Sequence, residues 1–195
     1  MDKPFFQLAS GYDDKSLLPV RSTKFSAGYD FLVAEDIVVP SFANQMEILY
    51  SHYLANSFSF NDMLKASTEE VRKSPYSLEE VAKITKDTGA KPTLVPTGVK
   101  AYIPEGYFLQ LSVRSSCPLK YWLILANGVG IIDRDYWGNP TNDGHIFFQL
   151  INFFPYDIQL HKGDKIGQGI FLPFQKVVGD ETAAERVGGF GSTGA

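Results

Sequence analysis

Apolar and polar residues alternate along much of the chain, in the pattern of strands with one buried face. The clearest case is residues 107–113, where every second side chain, from Tyr107 to Val113, is apolar. Because successive side chains of a β-strand point to opposite faces, this period of two predicts a strand that lines a core. Other β-rich apolar runs predict two short strands within residues 29–40 and further strands within residues 121–132, 146–154 and 165–174.

Turn-forming residues separate these runs at short intervals. Residues 95–98, 139–144 and 161–164 contain Pro, Gly, Asn and Asp, whose backbone preferences favour turns and loops. Many short strands divided by turns are typical of a β-sandwich or a jelly roll. We therefore predict a mainly β fold.

Residues 42–91 follow a different pattern. They are richer in Ser, Lys and Glu, and their apolar residues recur at helical spacing. Ser77 followed by Glu80 is a capping box that predicts the start of a helix, and Gly89 followed by Pro92 predicts its end. The pattern predicts two or three short helices inserted into the β-fold at residues 42–91.

Composition and charge exclude several classes of protein. A chain of 195 residues, 44% hydrophobic and 21% charged, is typical of a single globular domain, here residues 1–195. The net charge of −4 argues against binding to duplex nucleic acid. We see no signal-peptide core and no apolar run long enough to span a membrane. The single cysteine, Cys117, excludes an internal disulfide and fits a reducing compartment, so we expect a cytoplasmic protein.

Arg114-Ser115-Ser116 follows the predicted strand 107–113 and is a candidate anion site. The guanidinium is a planar fork of donors that matches phosphate oxygens. The two serine hydroxyls and the backbone N–H groups of a turn could complete such a site. Taken alone, the triplet is more typical of an ordinary solvated strand end.

Two acids and an aromatic residue lie close together in Asp133-Arg134-Asp135-Tyr136, which we expect on a hairpin. A carboxylate there could act as a general base that activates water. Tyr136 could pack against a sugar or a base. The alternative is that Asp133 and Asp135 only form a turn.

Five segments, taken in order, resemble the five motifs of the trimeric dUTPase (deoxyuridine 5'-triphosphate nucleotidohydrolase) family. Each segment alone is a weak signal, but all five occur in the family's order. The 19-residue step from Arg114 to Asp133 also matches the family's spacing. The five segments are residues 26–31 (SAGYDF), 114–116 (RSS), 127–136 (NGVGIIDRDY), 163–168 (GDKIGQ) and 186–194 (RVGGFGSTG).

The resemblance implies a distorted jelly-roll β-barrel and a homotrimer in which the third and fifth motifs meet only across chains. It implies hydrolysis of dUTP to dUMP and pyrophosphate, with Asp133 as the base that activates water for attack on the α-phosphate. Tyr136 corresponds to the aromatic beneath the deoxyribose, and residues 186–195 to a flexible glycine-rich arm. The substrate-binding residues implied in this way are Arg114, Ser115, Ser116, Asn127, Gly130, Ile132, Tyr136, Gln168, Arg186, Phe190, Gly191 and Ser192.

The resemblance also implies Mg²⁺, carried with the triphosphate. Magnesium usually keeps several waters and binds through phosphates rather than through an all-protein cage. Asp30 matches the acid that the family places near the hydrated metal, which it would contact through water.

Two alternatives stay open. The first is a dCTP deaminase-like enzyme of the same fold, but that family has an arginine shortly after the serines and a glutamate as proton shuttle. Here Cys117-Pro118-Leu119 follows the serines and Gln149 takes the glutamate's place, and an amide cannot exchange protons as an acid or base. The second is a nucleotide-responsive regulatory module in which the insert at residues 42–91 binds a protein partner.

Overall fold

The computed structural model describes residues 2–57 and 77–184, together with Arg186, Gly188 and Gly189. In this part of the chain, short antiparallel strands dominate and three helices join them. The helices are α1 (Phe42–Ser57), α2 (Leu78–Thr88) and α3 (Ser116–Tyr121). The strands are β1 (Phe5–Leu8), β2 (Tyr29–Leu32), β3 (Ile37–Val39), β4 (Thr93–Pro96), β5 (Val99–Tyr102), β6 (Tyr107–Val113), β7 (Leu123–Leu125), β8 (Gly130–Ile132), β9 (Phe147–Asn152), β10 (Ile158–Leu160) and β11 (Lys165–Pro173).

Strands distant in sequence lie side by side, as in a jelly roll. One sheet has the order β2-β11-β6-β8 and a second has the order β4-β9-β7, while β1 pairs with β5 and β10 with β3. The predicted alternation holds in β6, where Leu109 and Leu111 are buried. The mainly β architecture agrees with the prediction from the sequence.

The two larger sheets pack face to face through aromatic side chains. Phe31 of β2 and Phe148 of β9 are fully buried, with ring centres 5.6 Å apart. A Cβ atom at Gly167 of β11 would lie only 2.0 Å from the ring of Phe148. Glycine is therefore required at this position because the phenyl ring rests directly on the backbone of β11.

Two or three helices are predicted for residues 42–91, and the described residues of this segment form two, α1 and α2. Both arms of the predicted capping box are present: the Ser77 hydroxyl accepts from the Glu80 amide, and the Glu80 carboxylate accepts from the Ser77 amide. Helix α2 ends at Gly89, whose φ of +71° explains the glycine. Residues 58–76 of the insert lie outside the described residues, and its protein partner stays a prediction.

An aspartate anchors helix α1 to the β-body. The Asp157 carboxylate, from the connection between β9 and β10, accepts hydrogen bonds from the Ser41 amide and from the Asn44 side chain, both at 2.8 Å. The Ser41 hydroxyl also accepts from the Asn44 amide. These bonds satisfy donors that the first turn of a helix leaves unpaired.

Among the described residues, every helix is too short or too polar to cross a lipid bilayer.

Three features differ from the prediction. Residues 5–8, for which the sequence analysis predicts no strand, form one that pairs with β5. Residues 116–121, expected to lie between strands, form helix α3. The run 121–132 is two strands in different sheets, since β7 pairs with β9 and β8 pairs with β6, so the expected hairpin is not a hydrogen-bonded ladder. An apolar run does not reveal which strand it pairs with, and each of these features depends on a distant partner.

His145 is buried where the loop after Tyr136 meets β5. Its Nε2 accepts a hydrogen bond of 2.8 Å from the Gly98 amide, and burial lowers its pKa to about 4. A neutral imidazole is therefore the form that the folded protein accommodates.

We expect this histidine to make folding stability depend on pH. The folded-state pKa is below the unfolded value of about 6.5, so its contribution is complete above pH 6.5 and is lost as the pH falls towards 4. The free energy of unfolding, measured by urea titration, should fall by on the order of 3 kcal/mol over this range. His145→Gln should remove most of this fall, whereas His161→Gln, at an exposed histidine, should not. An equal pH dependence in all three proteins would contradict the assignment.

Candidate active site

A cleft of about 250 Å³ opens beside strand β8. Its apolar walls include Leu111 of β6 and Leu125 of β7. Gly130 faces Leu111 across the ladder, and a Cβ atom at Gly130 would lie 3.1 Å from the Leu111 Cβ, so glycine allows this close approach. The remaining lining residues are Asn127, Ile131, Ile132, Asp133, Tyr136, Phe147, Gln149 and Arg186.

Asp133 lies at the edge of this cleft, where β8 ends and a 3₁₀ turn over Arg134–Tyr136 begins. Partial burial raises the pKa of its carboxyl, the neighbouring Asp135 raises it further, and the Arg186 guanidinium acts in the opposite direction. About half of the side chain remains exposed. Asp133 is therefore an accessible carboxylate with a raised proton affinity.

Tyr136 forms a wall of the cleft and is 6% exposed. Its hydroxyl donates to the His145 carbonyl at 3.0 Å and accepts from the Asn142 side-chain amide at 2.7 Å. Burial raises the pKa of this phenol, so it remains protonated at neutral pH. The two bonds together fix the hydroxyl end of the ring.

Arg186, the first residue of the fifth motif, pairs with both acids of the third motif. Its guanidinium donates to the Asp133 carboxylate and, at 2.8 Å, to the Asp135 carboxylate. The tail backbone also packs on Tyr136, because a Cβ atom at Gly189 would lie 2.8 Å from the ring. Arg186 therefore joins the third and fifth motifs within one chain, whereas the resemblance implies that they meet across chains, and the arrangement in a trimer stays a prediction.

The sheet register explains this contact within one chain. Strand β11 ends at Pro173, which faces Tyr107 at one end of β6. Ile132, the last residue of β8, faces Leu109 near the same end of the sheet. The segment that leads to Arg186 thus begins close to Asp133, and 12 extended residues can span up to about 40 Å.

A second group of polar residues surrounds Asp30 on the neighbouring strands. Asp30 accepts hydrogen bonds from the Lys165 amine at 2.9 Å and from the Ser22 hydroxyl, and its other oxygen lies 3.4 Å from the Arg114 guanidinium. Burial by itself would raise the pKa of Asp30. The bonds from Ser22 and Lys165, with the charge of Arg114, outweigh burial and hold the pKa below its usual value.

Gln168 and the two serines lie beside this group. Gln168 of β11 faces Asp30 on one side and Ser112 on the other, and its side-chain amide covers Gly28. Ser115 is exposed, and Ser116 begins helix α3. Arg114, Ser116 and Lys165 line a second cleft, of about 380 Å³.

The structure therefore divides the predicted site residues into two sets within one chain. Leu109, which faces Ile132 beside Asp133, is five residues from Arg114 along β6, a distance of about 17 Å in an antiparallel strand. One set contains Asn127, Gly130, Ile132, Asp133, Tyr136 and Arg186, and the other contains Asp30, Arg114, Ser115, Ser116 and Gln168. Phe190, Gly191 and Ser192 lie outside the described residues.

Four residues in or beside the two clefts take part in ways that the sequence did not predict. Lys165 lies within the fourth motif, directly after Gly163-Asp164, so its place in the motif could have indicated a role. Asp135 was singled out with Asp133, but nothing in the sequence indicated that it pairs with Arg186. Gln149 was weighed only against a deaminase, and the structure places its amide in the wall of the first cleft. Asn142 gave no signal, because its bond to Tyr136 depends on the loop conformation.

The residues of the two clefts do not form a metal cage. Within the described part of the chain, no group of three or more His, Cys, Asp or Glu side chains could hold a metal ion. Both oxygens of Asp30 have partners in its own chain.

The sequence of this chain is similar to those of one enzyme family. A sequence model of the dUTPase family matches residues 76–194. The chain is 44% identical over 133 residues to the deoxyuridine 5'-triphosphate nucleotidohydrolase of Lactococcus lactis, covering 67% of this chain and 87% of the relative. The corresponding protein of Chlamydia pneumoniae is 41% identical over 108 residues, which are 52% of this chain and 70% of the relative.

Solved structures give the same result. The crystal structure of dUTPase from Streptococcus mutans is 34% identical, with a TM-score of 0.63 over 90% of this chain and 99% of its own. A mutant dUTPase from phage phi11 of Staphylococcus aureus, which coordinates a structural Mg(II) ion, is 18% identical with a TM-score of 0.55 and shares the fold. It covers 95% of this chain and 98% of its own. The predicted fold is thereby confirmed, and this chain belongs to the dUTPase family.

Proposed function

We propose that this chain hydrolyses dUTP to dUMP and pyrophosphate. The observation that carries the proposal is the cleft in which Asp133, Tyr136 and Asn127 meet, in a chain 44% identical to a deoxyuridine triphosphate nucleotidohydrolase. Asp133 takes a proton from water, whose oxygen forms a bond to the α-phosphorus. The bond from that phosphorus to the bridging oxygen of the β-phosphate breaks, and pyrophosphate leaves.

The walls of the cleft suit a small pyrimidine on a deoxyribose. We expect the backbone from Asn127 to Ile132 to approach uracil so closely that a 5-methyl group would be crowded. The amides of Asn127 and Gln149 offer donors and acceptors for the polar edge of uracil. Tyr136 supplies a flat surface for the sugar. The amide of Gln149 also disfavours the deaminase alternative, since it cannot transfer a proton.

The second set of residues binds the phosphates in this proposal. Arg114, Ser115, Ser116 and Gln168 present donors, and Lys165 adds a positive charge beside them. The terminal phosphate attracts Arg186 away from Asp133 and Asp135. Both carboxylates are about half exposed, so these two ion pairs contribute little free energy and can be exchanged for a bidentate phosphate contact. The exchange also leaves Asp133 free to accept a proton.

Mg²⁺ enters as part of the substrate. When bound, the ion neutralises phosphate charge and orients the triphosphate. Asp30, paired with Lys165 and Arg114, would reach the hydrated ion only through a water molecule. Helices α1 and α2 contribute none of the residues that line the two clefts, so in our proposal the insert is peripheral to the chemistry.

We further propose that the active protein is a homotrimer of the 195-residue domain. Asp133 and Arg114 are separated by about 17 Å or more along one sheet, which is too far for both to contact the reacting phosphates. A second copy of the chain can bring its Arg114 set to the Asp133 cleft of the first. Closed threefold symmetry then builds three identical sites.

Asp133→Asn should retain binding of dUTP and lose about 10²–10⁴-fold in kcat, the usual contribution of a positioned base. The amide keeps the shape of the side chain but cannot take the proton from water. Pyrophosphate release and calorimetric binding of a non-hydrolysable dUTP analogue measure the two effects. Asp13→Asn, at an exposed carboxylate outside the cleft, serves as the control. Near-normal turnover by Asp133→Asn would exclude the base role.

The pH profile should show the raised pKa of Asp133. The acid limb of kcat/KM reports the free enzyme, so it should lie above the ordinary aspartate value. Arg186 stabilises the charged form, and Arg186→Ala should therefore move the acid limb to still higher pH while it lowers kcat. Arg186→Lys, which keeps the charge, should move the limb less. An unchanged limb in Arg186→Ala would show that this pair is absent in solution.

Complementation tests the shared site. Asp133→Asn and Arg114→Ala should each be inactive, but trimers reassembled from an equal mixture should recover about a quarter of the wild-type activity, because such a fraction of sites joins two intact halves. Light scattering should give three chains of 21.7 kDa. No recovery in a verified mixed trimer, or a mass of one chain, would overturn the shared site.

A further inference from the structure

We infer that Asn142 is a positioning residue that fixes the ring of Tyr136 and thereby sets the preference for deoxyribose over ribose. The inference rests on the proposed function, since it assigns a residue to the specificity of the same site. Asn142 belongs to the loop of residues 137–144, which lies outside the five motifs that the chain shares with dUTPases.

The Tyr136 hydroxyl makes two hydrogen bonds, one as acceptor from Asn142 and one as donor to His145. The Asn142 amide donates to this oxygen at 2.7 Å, while the hydroxyl donates its own proton to the His145 carbonyl. The orientation of the Asn142 amide is itself determined, because its oxygen accepts from the Gly144 amide at 3.1 Å. The NH₂ group must then face Tyr136, and the ring is held at its hydroxyl end.

The loop that carries Asn142 is firmly attached to the β-body. Both oxygens of Asp143 lie 2.8 Å from the Lys100 amine of β5, and one oxygen accepts from the amide and hydroxyl of Ser10. These partners, Lys100 first, lower the pKa of Asp143, so the carboxylate stays charged. The Lys100 amine also lies 4.6 Å from the ring centre of Trp137, at the start of the loop.

The loop backbone closes tightly beneath Tyr136. Gly144 has a φ of +78°, and a Cβ atom there would lie 2.4 Å from the Tyr136 carbonyl oxygen. Asp143 also adopts a positive φ, +60°. Residues with side chains rarely adopt such conformations, so the anchoring bonds of Asp143 hold the loop in a shape that it would not favour alone. That shape presents Asn142 to the tyrosine.

The consequence for specificity follows from the placement of the ring. Ribose differs from deoxyribose by one hydroxyl, and a flat ring excludes that hydroxyl only while it stays within a few tenths of an ångström of its position. A side chain that packing and hydrogen bonds hold in one rotamer stays within such limits, whereas a side chain without those contacts does not. Loss of the Asn142 bond frees the ring to tilt, and the cleft should then admit UTP more readily.

Asn142→Asp is the sharpest test because the side chain keeps its shape and loses its donor. A carboxylate can only accept, so Tyr136 must redirect its proton from His145 to residue 142. We expect the ratio of kcat/KM for dUTP to kcat/KM for UTP to fall by roughly fivefold or more, the usual effect of one hydrogen bond. Thr141→Ala, at an exposed neighbour in the same loop, should leave the ratio unchanged. Should Asn142→Asp fail to fold, Asn142→Ala is measured in the same way with the same expectation.

A double-mutant cycle separates positioning from a general loosening of the loop. Tyr136→Phe lacks the hydroxyl, so Asn142→Asp should have no further effect on the dUTP/UTP ratio in that background. An unchanged ratio in Asn142→Asp, or a full additional loss in the Tyr136→Phe background, would overturn the inference while wild-type dUTP turnover still supports the proposed function. A wild-type protein that turns over no dUTP would overturn both.

Discussion

Strand β6 pairs with β11 along one edge and with β8 along the other, and these two ladders decide where the candidate site residues lie. Leu109 and Leu111 bury their side chains in the core and face Ile132 and Gly130 across the ladder with β8. The same strand continues into Arg114, beyond the end of that ladder. The register therefore sends the acid and the arginine to opposite ends of one sheet. A slip of one residue would turn every apolar side chain of β6 to the wrong face, so burial of the leucines enforces this geometry.

The separation has a chemical consequence. In one chain, each functional cation already has an anion: Arg114 and Lys165 share Asp30, while Arg186 bridges Asp133 and Asp135. The two groups differ in burial. Asp30 is 9% exposed, whereas Asp133 and Asp135 are about half exposed. An exposed ion pair contributes little free energy and exchanges easily for a phosphate, while breaking a buried pair leaves an uncompensated charge. In our proposal, Arg186 moves to the substrate while the Asp30 group keeps its shape.

Local rules allowed much of the fold to be predicted from the sequence. The alternation in residues 107–113, the capping box at Ser77 and the stop at Gly89 each depend on neighbours within a few residues. The partner with which each strand pairs, in contrast, is not determined by residues close to it in sequence. Nothing in the pattern of residues 121–132 indicated that β7 and β8 join different sheets, and the contact of Arg186 with Asp133 depends on where β11 ends. The order of the five motifs indicated the chemistry of the site. The contact of Asn142 with Tyr136 and the pairing of Asp135 with Arg186 depend on tertiary structure and could not be predicted.

The loop of residues 137–144 shows why contacts that the sequence does not predict matter for function. Its anchors, Lys100 and Ser10, come from parts of the chain distant in sequence, and they act on Tyr136 only through the loop backbone and Asn142. A motif records that an aromatic residue is present, but the free energy that keeps its ring in place comes from these distant contacts. Selection between two sugars that differ by one oxygen depends on that restraint more than on the identity of the ring. Chains with the same five motifs can therefore differ in discrimination when the loop after the third motif differs.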